Sequence, residues 1–208
     1  MKKYVVAASL LTAAIALPVI AQNLPTEAPG KPDVSRVTAG TYDVDHWHTQ
    51  VAFAVNHMGF NTYHGLFGEI TGTLTLDPKK PAASKVSIDI PLSGLVTTAA
   101  ALNEHLAKPE FFDIAKFPSA HFEATNIVVK GTHATINGNL TIKGITKPVV
   151  LAAHFVGAGK GPMDGKDNVG FEATTTVKRS DFGISYGIPL VSDAVELQIT
   201  AAFEKKAG

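Results

Sequence analysis

The chain has 208 residues, 45% of them hydrophobic and 17% charged, enough to bury a real core in one domain with an appendage. Basic and acidic residues balance at 18 each, which leaves no basic footprint for nucleic acid or an anionic membrane. The absence of cysteine excludes a disulfide framework, thiolate chemistry and a lipid anchor on a lipobox cysteine.

Lys2 and Lys3 precede an apolar run from Val5 to Ile20. With Val19 and Ala21 placed for cleavage after Ala21, they predict a signal peptide over 1–21. The run is short for a membrane span and holds Pro18 near its end. Losing Lys2 and Lys3 leaves 16 basic residues against 18 acidic, a mature net charge of −2. A bare Lys-Lys start and no cysteine point to a bacterial periplasm. Residues 22–40 carry three prolines and no apolar periodicity, which predicts a flexible tether.

From Thr41 the pattern becomes two-residue alternation, predicting one mainly β domain over 41–206. Val51, Phe53 and Val55 alternate with Ala52 and Ala54. The same period recurs at Val86–Leu92, Ile136–Ile142, Phe171–Val177 and Val195–Phe203. Each run reads as a half-buried antiparallel strand with one wet face. Asp77-Pro78, Lys130-Gly131, Lys143-Gly144 and a glycine-rich loop over Gly157–Asn168 separate them. Thr97–Lys108, rich in helix formers and ended by Pro109, is the one predicted helix. About eight strands and one helix suggest an up-and-down barrel or a sandwich, and the barrel is favoured because the strands are long and closure removes the edges.

Three short matches suggest enzymes and fail on context. Gly183–Gly187 fits G-x-S-x-G, but Ile188-Pro189 follows Ser185 where a nucleophile elbow needs a helix, and the last histidine, His154, lies upstream. Asp181-Phe182-Gly183 lacks the kinase lysine and glycine loop, and Gly157–Gly161 lacks the hydroxyl that follows a phosphate-loop lysine. His46 and His48 at i and i+2 could share a metal on a strand, although no third ligand is set by spacing; a histidine-based metal or redox-partner protein is therefore the alternative reading. His105, on the helix face with Leu102 and Leu106, reads as a docking residue. Asp43 and Asp45 share a strand face with no apolar setting to raise a pKa.

Four blocks taken together resemble the YceI-like family of bacterial periplasmic proteins, also called polyisoprenoid-binding proteins. The first runs from Tyr42 to His57 through Asp45, His48, Val51, Phe53 and Val55; the second holds His105, Leu106, Phe111, Phe112, Asp113 and Pro118. The third is the stretch INGNLTIKGITKPV from Ile136, and the fourth is Arg179-Ser180-Asp181-Phe182-Gly183. Thr49, Glu110, Phe117 and Asn139 depart mildly from the family pattern.

The resemblance implies an extended lipocalin-like antiparallel β-barrel with an apolar tunnel for a long isoprenoid, quinone or similar lipid, and no other cofactor. Phe53, Val55, Phe122, Leu140, Ile142, Phe171, Arg179 and Phe182 are the ligand-binding candidates. Small residues at Ala54, Gly138, Ala173 and Ala201 are expected to leave the tunnel its room. Arg179 would either clasp a phosphate bidentately or pair with Asp181, Glu172 or a neighbouring strand's carboxylate. No catalytic or metal residue is assigned, and transient membrane contact and a homodimer stay open. His48 and His57 lie an odd number of residues apart, so on an unbroken strand they would face opposite sides and serve separately.

Overall fold

Two-residue alternation turns into long strands wherever it occurs. The computed structural model describes residues 26–207; the signal peptide read over 1–21 lies outside them. The strands are β1 (Gly40–Val44), β2 (Gln50–His57), β3 (Asn61–Phe67), β4 (Thr71–Leu76), β5 (Lys85–Pro91) and β6 (Leu95–Val96). After helix α1 (Ala100–Leu106) come β7 (Ser119–Lys130), β8 (His133–Ile142), β9 (Ile145–Lys160), β10 (Asp167–Lys178) and β11 (Ala194–Lys205).

All pairings are antiparallel, and the eleven strands close into an eight-stranded up-and-down barrel because three barrel strands are broken in two. β1 pairs with the end of β11 (Val44 opposite Phe203), and β2 pairs with the same edge further along (Val51 opposite Ile199). β3 then pairs with β2, β4 with β1, β5 with β4 and β6 with β3 (Leu95 opposite Phe67), so β1–β2, β3–β4 and β5–β6 each act as one barrel strand. The first break spans Asp45–Thr49, where the His48 N–H donates to the Asp45 carbonyl at 3.2 Å. Thr49, 5% exposed, bridges the missing ladder: its hydroxyl donates to Ala202 O (3.2 Å) and accepts from Ala202 N (3.0 Å). The Thr49 oxygen thus takes the Ala202 N–H, while the Ala202 carbonyl also accepts from the Asp45 N–H at 2.9 Å.

This break corrects the strand assigned to His46 and His48. Both lie in the turn between β1 and β2, so no strand face aligns them. His48 Nδ1 instead sits 2.5 Å from Asp45 Oδ2, and His57 closes the β2–β3 turn through its carbonyl, which accepts from Phe60 N at 3.1 Å. Among the described residues no group of three or more His, Asp or Glu is placed to hold a metal ion.

One end of the barrel, the base, is packed solid. Tyr42 is fully buried there with Leu74, Ala158, Val169 and Phe203, and its hydroxyl donates to Thr38 O at 2.6 Å. The loop expected over Gly157–Asn168 is shorter, since β9 runs on to Lys160. Its glycines serve a different purpose. Lys31 bridges to Ala158, and a Cβ on Gly159 would strike the Pro29 carbonyl, so the missing side chains let the chain before β1 lie against β9. The described part of the 22–40 segment is therefore docked on the barrel, with a single 3-10 turn at Val34–Arg36.

Helix α1 is shorter than the predicted Thr97–Lys108. Asn103 Oδ1 accepts from both the N–H (2.8 Å) and the hydroxyl (2.7 Å) of Thr97, and these bonds hold the chain before Ala100 out of the helix.

Candidate functional site: an apolar cavity at the barrel mouth

At the other end, the mouth, the side chains do not meet. A cavity of about 610 Å³ remains, within the roughly 300–1,000 Å³ usual for small-molecule sites. Inward positions build its walls: Val51, Phe53 and Val55 of β2, Leu140 and Ile142 of β8, and Val195 and Leu197 of β11. Leu102, Leu106, Phe111 and Phe112, from α1 and the segment after it, form one side of the rim. Met58, Tyr186 and Leu190 form the other. Among the described residues, His57, Tyr63, His105, Arg179 and Tyr186 are the only lining residues with polar side chains, and no carboxylate or lysine lines the cavity.

The eight candidates separate by height. Phe53, Val55, Leu140, Ile142, Arg179 and Phe182 line the cavity. Phe122 and Phe171 do not. The Phe122 ring lies over the backbone of Gly138, where a Cβ would collide with it, and packs with Leu140 and Phe182. Gly138 thus accommodates a ring rather than a tunnel, contrary to expectation. Ala54 lies between the wall residues Phe53 and Val55, and so faces outward. Phe171 belongs to the base, between Phe155 (5.8 Å between ring centroids) and Phe203 (6.2 Å). Phe171→Ala is accordingly expected to cost about 2–4 kcal/mol in urea unfolding while leaving ligand stoichiometry unchanged. A variant as stable as wild type but depleted of ligand would return Phe171 to the binding wall.

Phe182, 1% exposed, is a wedge. The β9–β10 ladder stops at Ala152–Thr174 although both strands continue towards the mouth. Phe182, from the 3-10 turn Arg179–Phe182 after β10, packs against Val149 and Leu151 of β9 and Val177 of β10. Gly183 ends that turn at φ 74°, in the left-handed region. Phe182 and Gly183 of the Asp-Phe-Gly run thus have packing and turn-ending roles. Ser185 is exposed, and among the described residues its hydroxyl has no histidine or carboxylate partner.

Arg179, 8% exposed, threads under the following loop. Its Nε donates to Ser192 O (2.8 Å), Nη1 to Ile184 O (3.2 Å) and Tyr186 O (2.7 Å), and Nη2 to Val191 O (2.9 Å). Neither arrangement expected from sequence forms. The fork that a phosphate would need is spent on carbonyls, and Glu172 instead faces His154 at 3.5 Å. Burial pushes the guanidinium pKa down, and the nearby Asp193 carboxylate partly offsets this. Asp193 is itself held below the usual carboxylate range by the Ser180 N–H (2.9 Å) and hydroxyl (2.7 Å). Arg179 and Asp193 therefore fasten both feet of the 180–192 loop.

Across the mouth the loop meets the α1 segment through three rings. His105 lies 4.9 Å from Phe111 and 5.5 Å from Tyr186, and Phe111 lies 5.3 Å from Tyr186. Glu110 Oε1 approaches His105 Nε2 at 3.2 Å. His105 thus docks the helix onto the loop. Tyr186, Leu190 and Met58 were not among the sequence candidates, because nothing local marks a loop residue as part of a mouth.

The model of the YceI-like domain matches residues 42–203, the whole barrel. The chain belongs to the YceI-like family. It is 39% identical to Protein YceI of Salmonella arizonae over 164 residues, 78% of this chain and 85% of that protein. Among solved structures, BcnA of Burkholderia cenocepacia superposes with a TM-score of 0.69 at 22% identity, covering 76% of this chain and 98% of that one. A polyisoprenoid binding domain from Saccharophagus degradans, implicated in plant cell wall breakdown, superposes at 0.63 with 12% identity, covering 79% and 98%. At such identities these two likenesses establish the shared barrel. In this YceI-like chain the mild departures fit it: Thr49 keeps the hydroxyl that bridges the first break, and Glu110 keeps a carboxylate beside His105.

Proposed function

We propose that this protein is a periplasmic carrier or reservoir that holds a long isoprenoid or similar amphiphilic lipid in the mouth cavity and performs no reaction on it. One observation carries the reading: an apolar cavity of about 610 Å³, open at one end, in an otherwise packed barrel. Counting a methylene as about the size of a water molecule, which takes up about 30 Å³ in the liquid, this is room for roughly twenty carbons, or about four isoprene units. Each buried methylene contributes about 0.8 kcal/mol, so such a chain binds tightly without dedicated polar contacts. The Saccharophagus neighbour is a polyisoprenoid binding domain, which supports the same ligand class. Export by the leader read over 1–21 would place the protein in the periplasm, where transient membrane contact would let it take up a membrane lipid.

Mass spectrometry of an organic extract of protein purified without detergent tests this. About one isoprenoid lipid per chain is expected, and stripped protein should take up geranylgeraniol stoichiometrically. A lipid-free extract together with no uptake would sink the proposal.

A further inference from the structure

One side of the barrel mouth is free of charged residues. No Asp, Glu, Lys or Arg occurs from His46 to Gly68 or from Phe182 to Ser192, in a chain that is 17% charged. These stretches hold the β2–β3 hairpin and the mouth loop, which are joined by Met58 N to Leu190 O (2.7 Å) and by the His57–Val191 bridge. The base turns are the opposite, with ion pairs Lys160–Asp167, Lys166–Glu204 and Lys206–Asp43. On the uncharged side of the mouth, apolar side chains stand in solvent: Phe60 is 86% exposed, Leu190 61%, Tyr186 56% and Met58 47%. Contiguous exposed apolar groups of this kind mark an interaction surface.

We propose that this half of the mouth, led by Phe60, is a docking face for the surface of a lipid bilayer. The patch is continuous with the cavity, since Met58, Tyr186 and Leu190 belong to both, so a lipid tail can pass between bilayer and barrel without crossing a charged zone. Aromatic and aliphatic groups without lysine or arginine suit the interfacial layer of a neutral membrane rather than an anionic one. The charged side chains at this end lie outside the two uncharged stretches: Glu104, Lys108, Glu110, Asp113 and Lys116 on and after α1, Lys143, which donates to Pro109 O at 2.8 Å, and Asp181 before the mouth loop; the barrel therefore meets the bilayer tilted onto its hairpin side. The inference rests on the carrier reading for its biological sense but concerns a separate surface, because Phe60 does not line the cavity.

The test is flotation of the full-length mature chain with phosphatidylcholine–phosphatidylethanolamine vesicles, with and without added phosphatidylglycerol and at low and high salt. Adsorption is expected to be indifferent to salt and to phosphatidylglycerol. Phe60→Asp should lower the bound fraction about tenfold. Met163→Asp, the same change at a residue 76% exposed on the base loop, should leave it intact. Wild type that ignores vesicles, or Phe60→Asp that adsorbs like wild type, overturns the proposal. So does a dimer in sedimentation that Phe60→Asp dissolves while neither form binds vesicles; the patch then belongs to a second copy. Geranylgeraniol uptake measured in parallel separates the two claims. Uptake without adsorption defeats the docking face alone, and adsorption lost on Phe60→Asp without uptake defeats the carrier alone.

Discussion

Arg179→Ala is expected to lower the unfolding free energy by about 2–4 kcal/mol and to release the 180–192 loop. Four backbone carbonyls, those of Ile184, Tyr186, Val191 and Ser192, lose their donor together. A hydrogen bond from a charged group contributes about 1.5–3 kcal/mol, but the four share one side chain and water can reach part of the vacated site, so they do not add. Arg179→Lys should recover only part of the loss, because one ammonium cannot span carbonyls that the planar fork reaches from three nitrogens. Amide exchange should accelerate through residues 183–192 in both variants. Binding of a polyprenyl phosphate and of a neutral polyprenol should fall by the same factor, since the fork is already used. A stability within about 1 kcal/mol of wild type, or a loss confined to the phosphate, would mean that the guanidinium serves the ligand instead.

Val55→Trp is expected to cut the lipid recovered per chain about tenfold with a melting temperature close to wild type. Val55 stands on the β2 wall opposite Tyr63, half-buried and facing the cavity. An indole that displaces even two methylenes of ligand forfeits about 1.6 kcal/mol, roughly a tenfold loss. The added bulk enters open space, so the overpacking cost of about 1–3 kcal/mol largely does not arise. Leu140 would be the poorer choice despite lining the same cavity, because it already packs against Phe122 and Phe182. A folded Val55→Trp protein carrying as much lipid as wild type would show that the cavity is not where lipid sits.

The strands were legible because alternation is local: a residue's face follows from its neighbours two positions away, and burial of one face enforces it. The runs at Val51–Val55, Ile136–Ile142 and Val195–Phe203 became β2, β8 and β11. The cavity was legible only in part. Phe53, Val55, Leu140 and Ile142 line it because inward parity on a strand is readable, Arg179 and Phe182 reach it from a 3-10 turn that parity does not describe, and Phe122 and Phe171 lie outside it because parity gives no height along the barrel axis. The docking face was written in the sequence as two uncharged stretches, 46–68 and 182–192, but nothing in one dimension says that they meet.

By itself, then, the sequence determined a mainly β domain with about eight strands and apolar inner faces, which follow from period and short-range order, and its four motif blocks carried the resemblance to one family. Tertiary structure alone decided which glycines make room for a ring or a crossing backbone, that Thr49 mends a broken strand, and that Arg179 holds a loop. It also decided at which end the barrel stays hollow. Each of these depends on a partner far away in the chain, such as Gly138 with Phe122, Gly159 with Pro29 and Arg179 with Ser192. The energy of a close contact belongs to the pair, and closing the barrel is what brings each pair together.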